Sequence, residues 1–282
     1  MQLLVTSASG ANGDGFGALL AFELDGTLRG TFIDDRRIVD PRGLVVDPNK
    51  NLLFLNSGAD RVLAISSDGR VVRDTGWLEG LNPGGGNFGP DGRYFVGLRS
   101  QRTIGAFSTS LDDPLEHVLP PRVVPFPRGF AFVQDGTLFL ASGIGPDGQG
   151  DDTILTFVRG EPTRRLVADP ELSPLDLTIA PNGNIIVSSE RPFGEPDAVT
   201  SVREYDARDG HLVRVFSGGG LAEFHQPRGL RFGPDGNLYC VARDEVVAFD
   251  FASGACLGAV VRLPRLYGQA LVFFPLAKGD SR

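Results

Sequence analysis

Three arginines occupy the same place in three similar stretches of the chain. Arg42, Arg128 and Arg228 each follow a proline and precede a glycine and an apolar residue. A guanidinium group keeps its charge at neutral pH, and its planar fork binds a carboxylate or a phosphate through two hydrogen bonds. If these side chains converge, the pattern predicts an anion site. The alternative is that each arginine caps backbone carbonyls or pairs with an acid such as Asp176.

Residues that could move protons lie close to the same stretches. Asp176 replaces the glycine in the related segment "PLDLTI", Glu190 comes directly after the next apolar strand, and His225 lies two residues before the third Pro-Arg-Gly. Side chains of these types serve as general acids and bases. We therefore predict Asp176, His225 and Glu190 as candidate catalytic residues. Asp176 could instead be a metal ligand or the counter-ion of an arginine.

Three further side chains are expected at the same place. Asn87 departs from the apolar pattern of its strand, and Gln269 takes the position of the arginines in the last related segment, with Tyr267 just before it. Departures from a repeat are positions where function can be placed, because the ordinary residue already satisfies the fold. Together with the three arginines, these residues are the predicted substrate contacts.

The sequence gives little support for a cofactor. Two glycine-rich stretches, 7–17 and 143–152, carry acids without the spacing of an EF-hand loop, so a divalent cation (calcium or magnesium) is an open alternative. Neither stretch precedes a helix, which excludes a nucleotide-binding phosphate loop. The three histidines fall in different repeats, which disfavours a zinc site. Cys240 and Cys256 fit no zinc spacing and no disulfide framework. We predict no redox cofactor.

A repeated unit must position these residues. Each unit has an apolar strand, a turn, a second strand and then two further strands, over about 40 to 55 residues, the length of a four-stranded propeller blade. Asp-Gly and Asn-Gly in most of the turns supply the positive φ that tight hairpins need. The first strands are "PRGLVV", "PGGGNF", "PRGFAF", "PLDLTI", "PRGLRF" and "GQALVF".

The two ends of the chain complete one unit. The last unit stops after a single strand, whereas the chain opens with "QLLVTS" and two further strands that lack a first strand. Joining them closes the ring and removes open sheet edges. We predict an all-β, six-bladed β-propeller in which residues 1–282 form one domain. The first strands line the channel, so the residues after each proline meet at its mouth. Long loops of the third, fourth and sixth blades are expected to cover that mouth.

The repeated Pro-x-Gly-Leu, followed by Gly-Pro-Asp-Gly-Asn-Leu-Tyr, resembles NHL repeats and the wider group of SMP-30/gluconolactonase-like and streptogramin-lyase-like propellers. The resemblance covers nearly the whole chain and implies the fold rather than one activity. The lactonase-like relatives bind a metal through Glu, Asn and Asp, and this ligand set is not visible here. The lyase-like relatives have His within Pro-His-Gly, where this chain has Arg128 or its equivalents.

Composition excludes several classes of partner. The net charge of −8 disfavours nucleic acid and anionic membranes. The first residues lack the basic and apolar regions of a signal peptide, and no run is long enough to span a bilayer. We expect a cytoplasmic protein, monomeric by default.

Two functions fit the sequence. In the first, the protein is an enzyme of hydrolase, lyase or cyclase type that acts on a small molecule carrying a carboxylate or phosphate at the channel mouth. In the second, it is a non-catalytic binding or scaffold propeller whose arginines form internal salt bridges.

Overall fold

The predicted strand–turn–strand units form six four-stranded antiparallel sheets, arranged as the blades of a propeller. The computed structural model describes residues 1–8, 16–49, 51–145, 147–148, 150–191, 199–216 and 224–275. The all-β architecture and the number of blades predicted from the repeat are therefore confirmed.

The strands are as follows in chain order. The chain opens with β1 (Gln2–Ser7), β2 (Ala18–Phe22) and β3 (Leu28–Asp34), which belong to blade 6. Blade 1 contains β4 (Gly43–Val46), β5 (Leu52–Ser57), β6 (Arg61–Ser66) and β7 (Val71–Asp74). Blade 2 contains β8 (Pro83–Phe88), β9 (Tyr94–Leu98), β10 (Thr103–Phe107) and β11 (Glu116–His117). Blade 3 contains β12 (Pro127–Phe132), β13 (Leu138–Ser142), β14 (Thr153–Val158) and β15 (Glu161–Val167). Blade 4 contains β16 (Pro174–Ile179), β17 (Ile185–Arg191), β18 (Val199–Tyr205) and β19 (Leu212–Phe216). Blade 5 contains β20 (Pro227–Phe232), β21 (Leu238–Ala242), β22 (Glu245–Phe249) and β23 (Cys256–Arg262), and β24 (Leu271–Phe274) returns to blade 6.

Blade 6 joins the two ends of the chain, as the sequence predicts. Its strand order is β24-β1-β2-β3, and β1 pairs with β24 in antiparallel register, with Leu4 opposite Val272. The ring is thereby held by backbone hydrogen bonds between residues that are more than 260 positions apart in the chain. This closure fixes the spacing of the six inner strands around the channel.

The turns between the first and second strands have the geometry that the Asp-Gly and Asn-Gly pairs predict. Gly136 and Gly236 adopt φ values of 86° and 82°, in a region that glycine enters without steric cost. The acid before each glycine accepts a hydrogen bond from the backbone N–H two residues later, as Asp135 does from Thr137. These turns lie at the end of each inner strand that is remote from the Pro-x-Gly segments.

The core is divided into six hydrophobic clusters, one between each pair of neighbouring blades. Second strands supply much of it, as in "LFLAS" and "LYCVA", which are buried throughout. Cys240 is buried and Cys256 is half-buried, and neither forms a disulfide. Over the described ranges, no helix is long and apolar enough to cross a membrane.

Candidate functional site

A cavity of about 290 Å³ opens where the inner strands begin. It brings together five of the predicted site residues: Arg42, Arg128, Asp176, Arg228 and Gln269. The remaining polar or aromatic side chains of its lining are Asp40, Arg99, Phe126 and Arg231. The three arginines of the repeat thus meet at one site, and two further arginines join them.

A β-bulge in the inner strand presents the residue that follows the proline. In blade 3, Pro127 lies opposite Ser142 and Phe130 opposite Leu140, so two residues of β12 face one residue of β13. The same shift occurs in blades 2, 4 and 5. A bulge re-aims the side chains of its strand. In blades 2 to 5 the two residues after the proline therefore lie in a bulge, whereas in blade 1 the pairing of β4 with β5 is regular from Gly43 to Val46.

The glycine of this signature is required by the close approach of neighbouring inner strands. A Cβ on Gly229 would lie 2.8 Å from Cα of Ala270. A Cβ on Gly129 would lie 2.0 Å from Oδ1 of Asp176. Asp176, which stands at the glycine position of blade 4, is accommodated because Gly129 has no side chain.

Arg42, Arg228 and Arg231 are each paired with a carboxylate. Nε of Arg42 donates to Asp40 at 2.7 Å, and its Nη1 donates to Asn82 at 2.6 Å. Nη1 of Arg228 donates to Glu190 at 2.9 Å. The side chains of Glu190 and Arg228 are 3% and 14% exposed, so this pair is almost fully removed from water.

Asp176 forms the third of these pairs. Its Oδ2 accepts hydrogen bonds from the backbone N–H of Leu230 at 3.1 Å and from Nη1 of Arg231 at 3.2 Å. Nη2 of Arg231 in turn donates to the carbonyl oxygen of Leu44 at 3.1 Å, so this side chain links blade 5 to blade 1. Asp176 is therefore the counter-ion of an arginine, which is one of the alternatives that the sequence left open. The arginine is Arg231, however, and not Arg128 or Arg228.

Arg99 differs from these three. Its Nε is buried and has no hydrogen-bond partner within the described part of the chain. Its guanidinium carbon lies 5.2 Å from the centre of the Phe126 ring. Burial, together with the charges of Arg42 and Arg128, lowers the pKa of Arg99 to about 9.

Arg128 lies beside the same ring, 5.7 Å from its centre. It is 5% exposed and donates from Nη1 to the carbonyl oxygen of Pro174 at 2.8 Å. Burial lowers the pKa of Arg128 to about 10, while Asp152 acts in the opposite direction. Burial is the main cause of both lowered pKa values, and the charges of neighbouring arginines add to it. A guanidinium group does not lose its proton at neutral pH, so both side chains stay charged.

Asp152 interacts with the charge of Arg128. The sequence placed Asp152 among the acids of a glycine-rich stretch that could bind calcium, but not beside an arginine of the site. Its side chain is 11% exposed, lies 3.7 Å from Nη1 of Arg191, and has one buried oxygen, Oδ1, without a hydrogen-bond partner among the described residues. Burial raises the pKa of Asp152, whereas Arg128, Ser173 and Arg191 oppose the rise.

The position that predicts a place near the channel for Glu190 is also occupied by Arg99 in its own blade. Arg99 follows the apolar stretch "YFVGL" as Glu190 follows "IIVSS". The backbone N–H of each bonds to the carbonyl oxygen of the residue before the inner-strand proline: Asn82 for Arg99, and Ser173 for Glu190. The rule that placed Glu190 near the channel therefore also places Arg99 there. No comparable signal marks Asp152 or Arg231.

Four predicted residues lie outside the cavity lining. Glu190 stands behind it, as the partner of Arg228. Nδ2 of Asn87 donates to the carbonyl oxygen of Phe130 at 3.2 Å, so this side chain joins two inner strands. Tyr267 is 38% exposed and packs under the guanidinium group of Arg243. His225 is exposed and lines a separate cavity.

The acids that suggested calcium are engaged by arginines where they can be described. Asp151 lies 2.9 Å from Arg165, and Asp147 pairs with Arg102. Across the described ranges, one group of three side chains could hold a metal ion, namely Asp206, Asp209 and His211. Two of these are exposed, and the group lies at the outer edge of blade 4 rather than at the channel. Most of the loop 7–17 and residues 192–198 lie outside the described residues. Their predicted position over the channel mouth therefore stays a prediction.

No family model matches this chain, and no curated protein does. Solved structures do. A chain of a nidogen/laminin complex matches with a TM-score of 0.74 at 16% identity, over 96% of this chain and 97% of that one. A gluconolactonase from Xanthomonas campestris matches with a TM-score of 0.66 at 18% identity, over 97% and 88%. A streptogramin B lyase matches with a TM-score of 0.62 at 14% identity, over 85% and 74%. The predicted resemblance is confirmed at the level of the fold.

Proposed function

We propose that this protein is an enzyme of hydrolase or lyase type that acts, without a redox cofactor, on a small molecule carrying a carboxylate or phosphate at the channel mouth. The observation that carries the proposal is Arg99. Its Nε is buried beside the cavity without a partner in the described part of the chain. A buried donor left unsatisfied costs about 1–3 kcal/mol, and more when it is charged. A bound anion would recover this free energy.

The charges around the cavity support the same ligand class. Five arginines line it against two carboxylates, those of Asp40 and Asp176. Arg42, Arg228 and Arg231 each have a carboxylate partner. Arg99 and Arg128 both lie beside the Phe126 ring, and the proposed ligand binds between their guanidinium groups. Paired guanidinium groups suit the two oxygens of a carboxylate or phosphate.

The same groups could support chemistry. Fixed guanidinium donors stabilise negative charge that develops on an oxygen in the transition state of acyl transfer or elimination. Asp176 faces the cavity and could accept a proton from a substrate or a water molecule. Asp152, whose pKa burial raises, could supply one from behind Arg128. The gluconolactonase and the lyase among the similar structures show that this fold is compatible with such reactions.

A specific observation favours a second candidate, a non-catalytic propeller that binds a small anion. Oδ2 of Asp176 already accepts two hydrogen bonds, and its Oδ1 packs against Gly129. A carboxylate held in this way is better suited to fixing two blades than to moving protons.

Calorimetric titration tests the binding step. Succinate, citrate, inorganic phosphate and phenyl phosphate are titrated into the wild type, the Arg99→Met variant and an Arg93→Met control. Arg93 lies at the turn between β8 and β9, at the other end of the inner strands, and pairs with Asp91 and Glu116. A hydrogen bond to a charged group contributes about 1.5–3 kcal/mol, so Arg99→Met should weaken binding by roughly 10- to 150-fold. Absence of binding to the wild type, or equal binding by Arg99→Met, would overturn the proposal.

Turnover separates the two candidates. Wild-type protein is assayed on lactones, carboxylate-bearing esters, phosphate monoesters and β-elimination substrates. We expect one class to be turned over, and expect Asp176→Asn to lower kcat at least 100-fold while anion binding is retained, since general acid–base catalysis contributes about 10²–10⁴-fold. Anion binding without turnover in any class would favour the non-catalytic propeller.

A further inference from the structure

A second cavity, of about 310 Å³, lies in blade 5 and does not share residues with the first. It is formed by the start of β20, the turn between β21 and β22, and the segment after β23. Its lining residues are His225, Arg243, Asp244, Glu245, Arg262, Leu263 and Pro264.

Glu245 is the unusual member of this lining. Its side chain is 3% exposed, although it borders the cavity. Oε1 accepts a hydrogen bond from Nε of Arg262 at 2.9 Å, whereas Oε2 is buried and has no hydrogen-bond partner in the described ranges. A buried carboxylate oxygen without a donor is unfavourable, so Oε2 marks a place where a ligand donor would fit.

The donor that suits Oε2 is an ammonium group rather than a metal ion. Among the described residues, His225, Asp244 and Glu245 do not bring their ligand atoms within 4.8 Å of one another. An ammonium group carries three N–H donors and needs no closed set of ligands. Asp244, whose side chain is 37% exposed, adds a second negative charge to the same lining.

Positive charge and apolar surface complete the cavity. The side chains of Arg243 and Arg262 are 45% and 63% exposed. Nε of Arg243 lies 4.0 Å from Oδ2 of Asp244, and Nε of Arg262 bonds to Glu245, so a carboxylate would meet the other N–H groups of these two arginines. Leu263 and Pro264 supply apolar surface beside them. Both signs of charge therefore line one cavity whose volume exceeds that of a single amino acid.

We propose that this cavity binds a free α-amino acid with an apolar side chain. The ammonium group of the ligand donates to Oε2 of Glu245, its carboxylate lies against Arg243 and Arg262, and its side chain packs on Leu263. This site does not depend on the function proposed for the channel.

Calorimetric titration with L-leucine tests the site. Isopentylamine, which lacks the carboxylate, and 4-methylpentanoate, which lacks the ammonium group, are the matched probes. We expect L-leucine to bind, each probe to bind at least tenfold more weakly, and Glu245→Gln to weaken L-leucine binding at least tenfold. The control Glu116→Gln alters an exposed glutamate that pairs with Arg93 and should leave the affinity unchanged.

Two further variants keep the test decisive. If Glu245→Gln does not fold, Arg243→Met removes a carboxylate contact from a half-exposed side chain and should weaken L-leucine binding at least fivefold. Arg99→Met, in the channel, should not change it. The proposal is wrong if L-leucine does not bind at millimolar concentration, or if isopentylamine or 4-methylpentanoate binds as tightly as L-leucine. It is also wrong if Glu245→Gln and Arg243→Met bind L-leucine with wild-type affinity, or if Arg99→Met abolishes the binding.

Discussion

Replacing Arg228 by methionine tests how far the arginines of the repeat hold the propeller together. The variant leaves the carboxylate of Glu190, 3% exposed, without the guanidinium group that now lies 2.9 Å away. Removing one member of a buried ion pair costs about 3–5 kcal/mol. A domain of this length loses about 2–4 °C of Tm for each kcal/mol, so we expect a fall of roughly 6–20 °C.

Urea and thermal unfolding, followed by circular dichroism, measure this loss. The double variant Arg228→Met with Glu190→Gln removes both charges and should recover at least half of it, because no carboxylate is then left buried. Arg29→Met is the matched control: Arg29 pairs with Glu23 at 3.0 Å, but the glutamate is 46% exposed. A pair of this kind contributes about 0–1 kcal/mol.

Two results would refute the reasoning. If Arg228→Met costs less than about 1 kcal/mol, the pair behaves like a surface ion pair despite its burial. If the double variant is as unstable as the single one, the loss arises from packing of the arginine stem rather than from an uncompensated carboxylate.

Three further predictions concern stability. Because burial raises the pKa of Asp152 above 3.8, the wild type loses stability as pH rises through the folded-state pKa; Asp152→Asn should therefore be more stable at pH 7, with the gain vanishing as pH falls toward 3.8. Gly129→Ala places a Cβ 2.0 Å from Oδ1 of Asp176 and should cost about 1–3 kcal/mol in urea unfolding. Phe274→Ala, in the strand that closes the ring, removes a fully buried ring and should cost about 3–5 kcal/mol.

Each of these predictions has a control in the same chain. Hydrogen bonds from Thr137 lower the pKa of the exposed Asp135, so Asp135→Asn should not stabilise at pH 7; a gain equal to that of Asp152→Asn would contradict the assignment to burial. An added Cβ on Gly97 meets its nearest atom at 3.3 Å and should be tolerated better than one on Gly129. Leu28 is 48% exposed, and Leu28→Ala should change stability by less than about 0.5 kcal/mol.

Most of the fold could be predicted from local chemistry. Asp135-Gly136 and Asp235-Gly236 predict tight turns, because their glycines adopt positive φ readily. The apolar strands beside these turns repeat at a spacing that matches the length of one blade. The closure by β24 also follows, because an incomplete last unit and an opening with three strands complete each other. The turns and strands depend on neighbours in the chain, and the closure depends on the completeness of the repeat; a sequence displays both directly.

The site could be predicted only in part. Convergence of Arg42, Arg128 and Arg228 follows from the repeat, since equivalent positions in a ring meet at its axis. The pairing of Arg228 with Glu190 and of Arg231 with Asp176 does not follow, because it depends on distances between blades. The sequence offered Asp176 as a partner for Arg128 or Arg228, whereas its partner is Arg231.

The residues that were placed away from the cavity show the same limit. Asn87 departs from the apolar pattern of its strand, but its side chain bonds to the carbonyl oxygen of Phe130 in the next inner strand. This departure from the repeat therefore has a structural role. Tyr267 and His225 are close in sequence to the mouth, yet Tyr267 packs under Arg243 and His225 lines the blade 5 cavity. Asp40 and Phe126, each directly before an inner-strand proline, do line the channel cavity.

A crystal structure with a bound heavy anion would test the central claim most directly. Crystals are grown with selenate or iodide, and anomalous scattering locates the ion. The account predicts a peak in the channel cavity within about 3.5 Å of the guanidinium groups of Arg99 and Arg128, as expected for a charge-assisted contact. Peaks confined to the outer surface, with the cavity closed by the side chains of Arg42, Arg228 and Arg231, would contradict it.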